Sequence, residues 1–258
     1  MMLKPFLRKL KIGNVISYLK HHYPLIAKYH TYLELNRNIK DRCILVYTMG
    51  KVGSSTIVKS LDNQLHEYFV FHIHWLAVKN LTQDQNFYKT FYQRNRKQGV
   101  YHKILPAYLI EGRYINERIN RSCNYKNIEK IFTLTREPLA RNISSFFENL
   151  KIFFGYDIDK NLRIKDEDTV VDELITLFCD EFIINNTVNF LDADPLTWFD
   201  IELKEVFNLD VFNSEFPKEK GYKIYSNEVA SVLLIRLEDL NECFSEASEI
   251  FLEKNCHF

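Results

Sequence analysis

Cys43-Ile44-Leu45-Val46-Tyr47-Thr48-Met49-Gly50-Lys51-Val52-Gly53-Ser54-Ser55-Thr56 is the stretch that decides the fold. Its first five residues form a continuous apolar run after Asp41-Arg42, the pattern of a strand buried on both faces of a parallel sheet. From Ile57 onward the spacing turns helical, with Ile57, Val58, Leu61 and Leu65 on one side. Between them lies a loop with two glycines three residues apart, in a chain that holds seven. At such a junction the unpaired N–H groups and the positive end of the helix dipole favour an anion, and glycine lets backbone approach it closely. Ser54, Ser55 and Thr56 add hydroxyl donors and Lys51 a full charge. A plain glycine turn before a helix is the competing reading.

Working outward, apolar runs recur at residues 68–74, 131–135 and 232–235, with helical stretches between them at 79–98 and 106–121 and further ones at 169–190 and 198–207. This alternation is the signature of a mostly parallel sheet flanked by helices in three layers. Thr197 with Asp200 three positions on reads as the start of the 198–207 helix. No linker, repeat or low-complexity tract divides residues 43–258, so the chain reads as one α/β domain of a size that buries its own core. Residues 1–42 differ: nine Lys or Arg face only Glu34 and Asp41, and Leu3, Phe6, Leu7, Leu10, Ile16 and Leu19 fall at helical spacing. This basic helical arm either packs on the body or touches an anionic membrane surface.

Balanced charge, 34 basic against 34 acidic residues, excludes a global electrostatic case for nucleic acid. The five cysteines form neither CxxC nor a zinc-ligand spacing, so reduced thiols and no metal are expected. With no signal-peptide core and no apolar span of about 20 residues, the expected location is the cytoplasm.

The run at 131–135 ends in Thr135-Arg136-Glu137-Pro138, and Pro138 opens a helix with Leu139, Ile143, Phe146 or Phe147, and Leu150 on its expected buried face. Arg136 therefore stands at the carboxyl edge of the sheet, the same edge as the Lys51 loop, where open parallel sheets bind ligands. Its guanidinium can fork onto a phosphate, and Ser144 can add a hydroxyl. Lys51 precedes Gly53, whereas a Walker A loop puts lysine after its second glycine, so ATP hydrolysis is not the first expectation.

Lys51-Val52-Gly53-Ser54-Ser55 resembles the 5′-phosphosulfate loop of sulfotransferases that use 3′-phosphoadenosine 5′-phosphosulfate. Arg136 through Ser144 resembles the 3′-phosphate motif of that family, with Glu137 in place of an aspartate. Leu233 to Leu240 resembles a late strand followed by a Glu-Asp segment in the same fold. Phrases around 47–56, 136–147, 195–212 and 234–240 also resemble bacterial capsular polysaccharide synthesis proteins. The resemblance implies a P-loop sulfotransferase-like fold, a nucleotide sulfate donor held by Gly50, Lys51, Val52, Gly53, Ser54, Ser55, Thr56, Arg136 and Ser144, and a glycan or lipid-linked glycan acceptor. The late basic, glycine-containing loop that closes over the donor in sulfotransferases has no counterpart here, and weaker donor binding is the expectation.

Sulfuryl transfer needs positive charge at the leaving phosphate, the role expected of Lys51, and a base near the acceptor oxygen. His74, at the end of the second run, comes first for the base and His102 second, with Glu111 and Glu137 behind them; for either histidine a structural hydrogen-bonding role competes. His72 reads as a core histidine deeper in the strand. Aromatic residues around Trp198, Phe199 and Tyr222 either wall a sugar cleft or, as is commoner at helical spacing, belong to the core. The rival functions are a nucleotide-dependent phosphotransferase and a non-catalytic partner of polysaccharide assembly.

Overall fold

The structure, a computed structural model, describes residues 33, 42–95, 107–122, 128–184 and 194–253. The basic arm, residues 33 and 42 apart, and His102 lie outside the described residues. Five strands make one sheet: β1 (Cys43–Tyr47), β2 (Phe69–Ile73), β3 (Ile128–Thr135), β4 (Tyr222–Ser226) and β5 (Ser231–Arg236). Their spatial order is β2-β1-β3-β5-β4. The first four neighbours run parallel and β4 pairs antiparallel with β5. All four apolar runs are strands. The fifth, β4, escaped the sequence reading because Tyr222-Lys223-Ile224-Tyr225-Ser226 alternates as an edge strand does, with no continuous apolar run.

Helices α1 (Ser54–Gln64), α2 (Val78–Asn95), α3 (Ala107–Ser122) and α4 (Pro138–Phe153) make the crossovers, followed by α5 (Ile158–Leu162), α6 (Glu167–Phe178) and, after β5, α7 (Leu240–Glu253). The expected helix at 169–190 is α6 running into a π-helical turn at Cys179–Ile184. The expected helix at 198–207 is a second π-helical turn, Phe199–Lys204, carried on by Glu205–Phe207. Its entry is capped by Asp194, not by Thr197: the Asp194 carboxylate accepts from Leu196 N at 2.9 Å and Thr197 Oγ1 at 3.2 Å. An Asx turn before the helix outcompetes the Thr197 pairing because Pro195 already fixes the bend.

β1 is buried along its whole length, as its run of apolar residues requires. Phe132 of β3 meets Phe251 of α7 edge to face at 5.2 Å, and both are fully buried. The Lys130 ammonium sits 4.7 Å from the centre of the Phe251 ring, where it gains a cation–π contact within the core. On the other side of the strand layer Tyr47 packs edge to face on Trp198 at 5.0 Å. α3 comes unusually near the segment after β2: a Cβ on Gly112 would lie 2.3 Å from the Trp75 carbonyl oxygen. The Asn116 amide then donates to Leu76 O at 2.7 Å. A smaller aromatic cluster, Phe146, Leu150 and Phe182 with Phe154 and Phe178, ties α4 to the turn after α6. No helix among the described residues is long and apolar enough to cross a membrane.

Phe251→Ala removes a fully buried ring with its partners on both β3 side chains, and a loss of about 3–5 kcal/mol is expected. Urea unfolding checks it; an unchanged midpoint would mean that α7 does not close this layer.

Candidate functional site

The loop after β1 turns through two left-handed residues, Lys51 at φ 69° and Gly53 at φ 79°. A lysine there costs on the order of 1–2 kcal/mol, so the surroundings must hold it in place. Three contacts do so. Arg136 Nη1 donates to Lys51 O at 3.1 Å, the wholly buried Arg141 donates from Nε to Gly50 O at 3.1 Å, and Lys51 Nζ pairs with the Glu148 carboxylate. The loop's carbonyls are thereby turned toward α4 and its guanidinium donors. Gly53 is the N-cap of α1 and no side chain caps this end. The first-turn N–H groups have no acceptor within the helix, as in every α-helix. A side chain at Gly53 would also collide with Leu237, whose Cδ1 lies 2.6 Å from the position of a Cβ.

A cavity of about 530 Å³ opens above the loop. Of the residues expected there, Gly50, Lys51, Gly53, Ser54, Ser55, Arg136, Ser144 and His74 line it. Val52 does not: its side chain is fully buried in the core, and only its main chain belongs to the loop. Thr56 is exposed on α1, away from the cavity lining. Four further residues, His72, Trp75, Glu148 and Asn149, line it besides Leu237. Glu148 follows Ser144 by one turn of α4, a spacing that could have flagged it once the helix was placed. Arg141 gave only its place in the motif as a signal, since its role depends on a carbonyl 91 residues away in sequence.

His72 is half-buried at the cavity, not a core histidine, and its Nε2 lies 2.8 Å from Ser54 Oγ. It faces the helix because β2 and α1 are adjacent on one side of the sheet. Burial pulls it from the usual 6.5 to about 4, and the neighbouring His74 adds to this. His74 Nδ1 lies 2.7 Å from the Thr48 carbonyl oxygen, which can only accept, so Nδ1 carries a proton. In the neutral ring the basic lone pair is then on Nε2. Burial lowers the His74 pKa below the usual imidazole range, opposed by the Thr48 carbonyl and reinforced by the charges of Arg141 and Lys51. A neutral imidazole at pH 7 is the form that can take a proton.

The segment carrying His74 is clamped from behind. Trp198 Nε1 donates to His74 O at 3.1 Å, and the fully buried Glu202 accepts from Leu76 N at 2.8 Å and Ala77 N at 2.9 Å. The Tyr47 hydroxyl and Asn80 Nδ2 also donate to the Glu202 carboxylate. Burial raises the Glu202 pKa while these donors pull it back. Trp198 and Tyr222 are core residues, as the commoner reading had it.

Glu137 is a cap: its carboxylate accepts from Leu139 N at 3.0 Å and Ala140 N at 2.6 Å, and these bonds lower its pKa. This accounts for an acid before Pro138 and removes it as a base candidate. Glu111, on α3, is raised to about 7 by burial and lies outside the cavity lining.

A second cavity, of about 360 Å³, lies beside the end of β3, with Thr135, Phe199, Phe212, Phe216 and Tyr225 in its wall. Fold and site together define an α/β protein whose first cavity, at the carboxyl edge of the sheet, is equipped with cations, hydroxyls and a helix N-terminus. Residues 166–257 match a family model described as "Putative capsular polysaccharide synthesis protein". No curated protein and no solved structure matches the chain. The matched residues build the second cavity, Thr135 apart, and give only Leu237 to the first.

The depressed His72 makes stability depend on pH. An unfolded chain binds the proton near 6.5 and the fold resists it until about 4, so the stabilisation is complete above 6.5 and is lost as pH falls toward 4. Urea midpoints followed over that window should fall less steeply for His72→Gln than for the parent; parallel curves would assign the slope to other groups.

Proposed function

We propose that the chain is a sulfotransferase of capsular polysaccharide synthesis, moving a sulfuryl group from 3′-phosphoadenosine 5′-phosphosulfate to a hydroxyl of a glycan or lipid-linked glycan precursor. The observation that carries this reading is the junction of Arg136 and Arg141 with the carbonyls of Lys51 and Gly50. It joins the two motifs into one cavity and engages these two loop carbonyls, while Lys51, Ser54, Ser55 and Ser144 line the cavity beside the Glu148 carboxylate. The match of residues 166–257 supports the polysaccharide part.

In this reading the α1 N-terminus with Ser54 and Ser55 takes the 5′-phosphate. Arg136, with one of its five N–H donors on Lys51 O, and Ser144 take the 3′-phosphate. The acceptor oxygen attacks sulfur as the bond from sulfur to the bridging oxygen breaks. The acceptor's proton passes to His74 Nε2, and 3′-phosphoadenosine 5′-phosphate leaves with charge developing beside Lys51. Binding the donor requires Lys51 to exchange Glu148 for phosphate.

Calorimetry with 3′-phosphoadenosine 5′-phosphate tests the donor site. Lys51→Ala and Arg136→Ala should each weaken it by about 1.5–3 kcal/mol, the range for hydrogen bonds to charged groups. No heat at millimolar ligand with the parent chain sinks the reading. His74→Ala should keep that affinity and lose labelled sulfate transfer, and full turnover in this variant would clear His74 of the base role.

A further inference from the structure

We infer that the second cavity is a saccharide subsite that seats one neutral sugar unit, its ring face on Phe212 and a hydroxyl on Tyr225. The inference rests on the glycan part of the reading above and not on the nucleotide donor.

Phe199, Val211, Tyr225 and Leu234 of the cavity wall belong to the core, and Phe212 is the aromatic of the lining that the core does not cover. Phe199 is buried at 7% exposure, while Phe212 meets it edge to face at 6.1 Å and stands 65% exposed at the cavity mouth. Large apolar side chains kept in water beside a cavity mark a surface that something else covers. A pyranose presents a face of C–H groups to such rings and a rim of hydroxyls to polar partners. A volume of about 360 Å³ falls in the range of small-molecule pockets, roughly 300–1,000 Å³.

The polar equipment is specific. The Tyr225 hydroxyl has no hydrogen-bond partner among the described residues, and Tyr225 lines this cavity at 8% exposure. Buried hydroxyls nearly always have a partner, so this one calls for a ligand or an ordered water. Its ring is held by β4 and by the Lys223 ammonium 5.0 Å from its centre. The same ammonium donates to Ser214 Oγ at 2.7 Å and Glu215 O at 2.5 Å, which fixes the loop forming the other wall. With that cation engaged on its own loop, the cavity offers Tyr225, the Thr135 hydroxyl and the Glu215 carboxylate. That set accepts hydrogen bonds from sugar hydroxyls and repels a phosphate, sulfate or uronate.

Position supports the same occupant. Thr135 lines the second cavity and the next residue, Arg136, lines the first, so the two open on either side of a single strand end. A glycan lying along the sheet face from Tyr225, which is level with Val232 and Ile131, toward Thr135 is directed at the strand end that carries Arg136.

Saturation-transfer difference NMR on the full chain, with methyl β-D-glucopyranoside and N-acetyl-D-glucosamine as probes and D-glucuronate as control, tests this. The neutral probes should show transfer to ring C–H protons and D-glucuronate none. Phe212→Ala and Tyr225→Phe should each weaken the neutral probes about tenfold, the loss of one aromatic or hydroxyl contact. Thermal melts confirm folding, and Phe212→Leu serves if Phe212→Ala melts early. No transfer from either neutral probe, transfer in both variants equal to the parent's, or preferential binding of D-glucuronate overturns the inference. Lys51→Ala must leave sugar binding intact. Sugar binding without 3′-phosphoadenosine 5′-phosphate binding discards the donor reading alone, and the reverse discards this subsite alone.

Discussion

Arg141 lies wholly beneath the loop that follows β1 and gives its Nε hydrogen to the carbonyl of Gly50. A guanidinium taken out of water costs several kcal/mol unless its donors are met, so the position of Gly50 is tied to α4 by more than packing. Arg136 repeats the arrangement one residue later on Lys51. Together they hold Lys51 in a left-handed conformation that the residue alone disfavours, and the first turn of α1 is left with its N–H groups facing a cavity. The rest of the site is placed relative to that loop.

The histidine side of the cavity has its own anchor. Glu202 is a carboxylate buried without a counter-cation among its named partners, satisfied instead by two backbone amides, a phenol and an amide side chain. It sits in a π-helical turn, the irregular form that re-aims side chains at functional places. Because Leu76 and Ala77 hang on Glu202 and His74 O on Trp198, the direction of the His74 ring is decided by residues more than 120 positions away.

That distance explains what could be read from the sequence. β1, the loop and α1 were legible because a buried run, a glycine pair and a helical period are all local. The same holds for Arg136 and Ser144, which share one strand end and helix. β4 was not, because an edge strand alternates as a loop with tyrosines does. Val52 and Thr56 belong to the motif by letter, but a loop that turns at Gly53 sends one side chain into the core and the other to solvent. His72 looked deeper than it is because strand position says nothing of where the neighbouring helix begins. Glu202, Arg141 and Glu148 act on groups far along the chain or across a cavity, and no spacing rule reaches them.

Leu237 against Gly53 joins the loop to the region beyond residue 166 in a further sense. The two positions share one volume, and Gly53 is also held at a positive φ, so a side chain at 53 would strain the turn as well as crowd Leu237. A lineage that enlarged the residue at 237 would displace the turn that begins α1, and one that replaced Gly53 would need both a smaller neighbour and a new backbone path. The start of α1 is therefore shaped in part by a side chain of the C-terminal region.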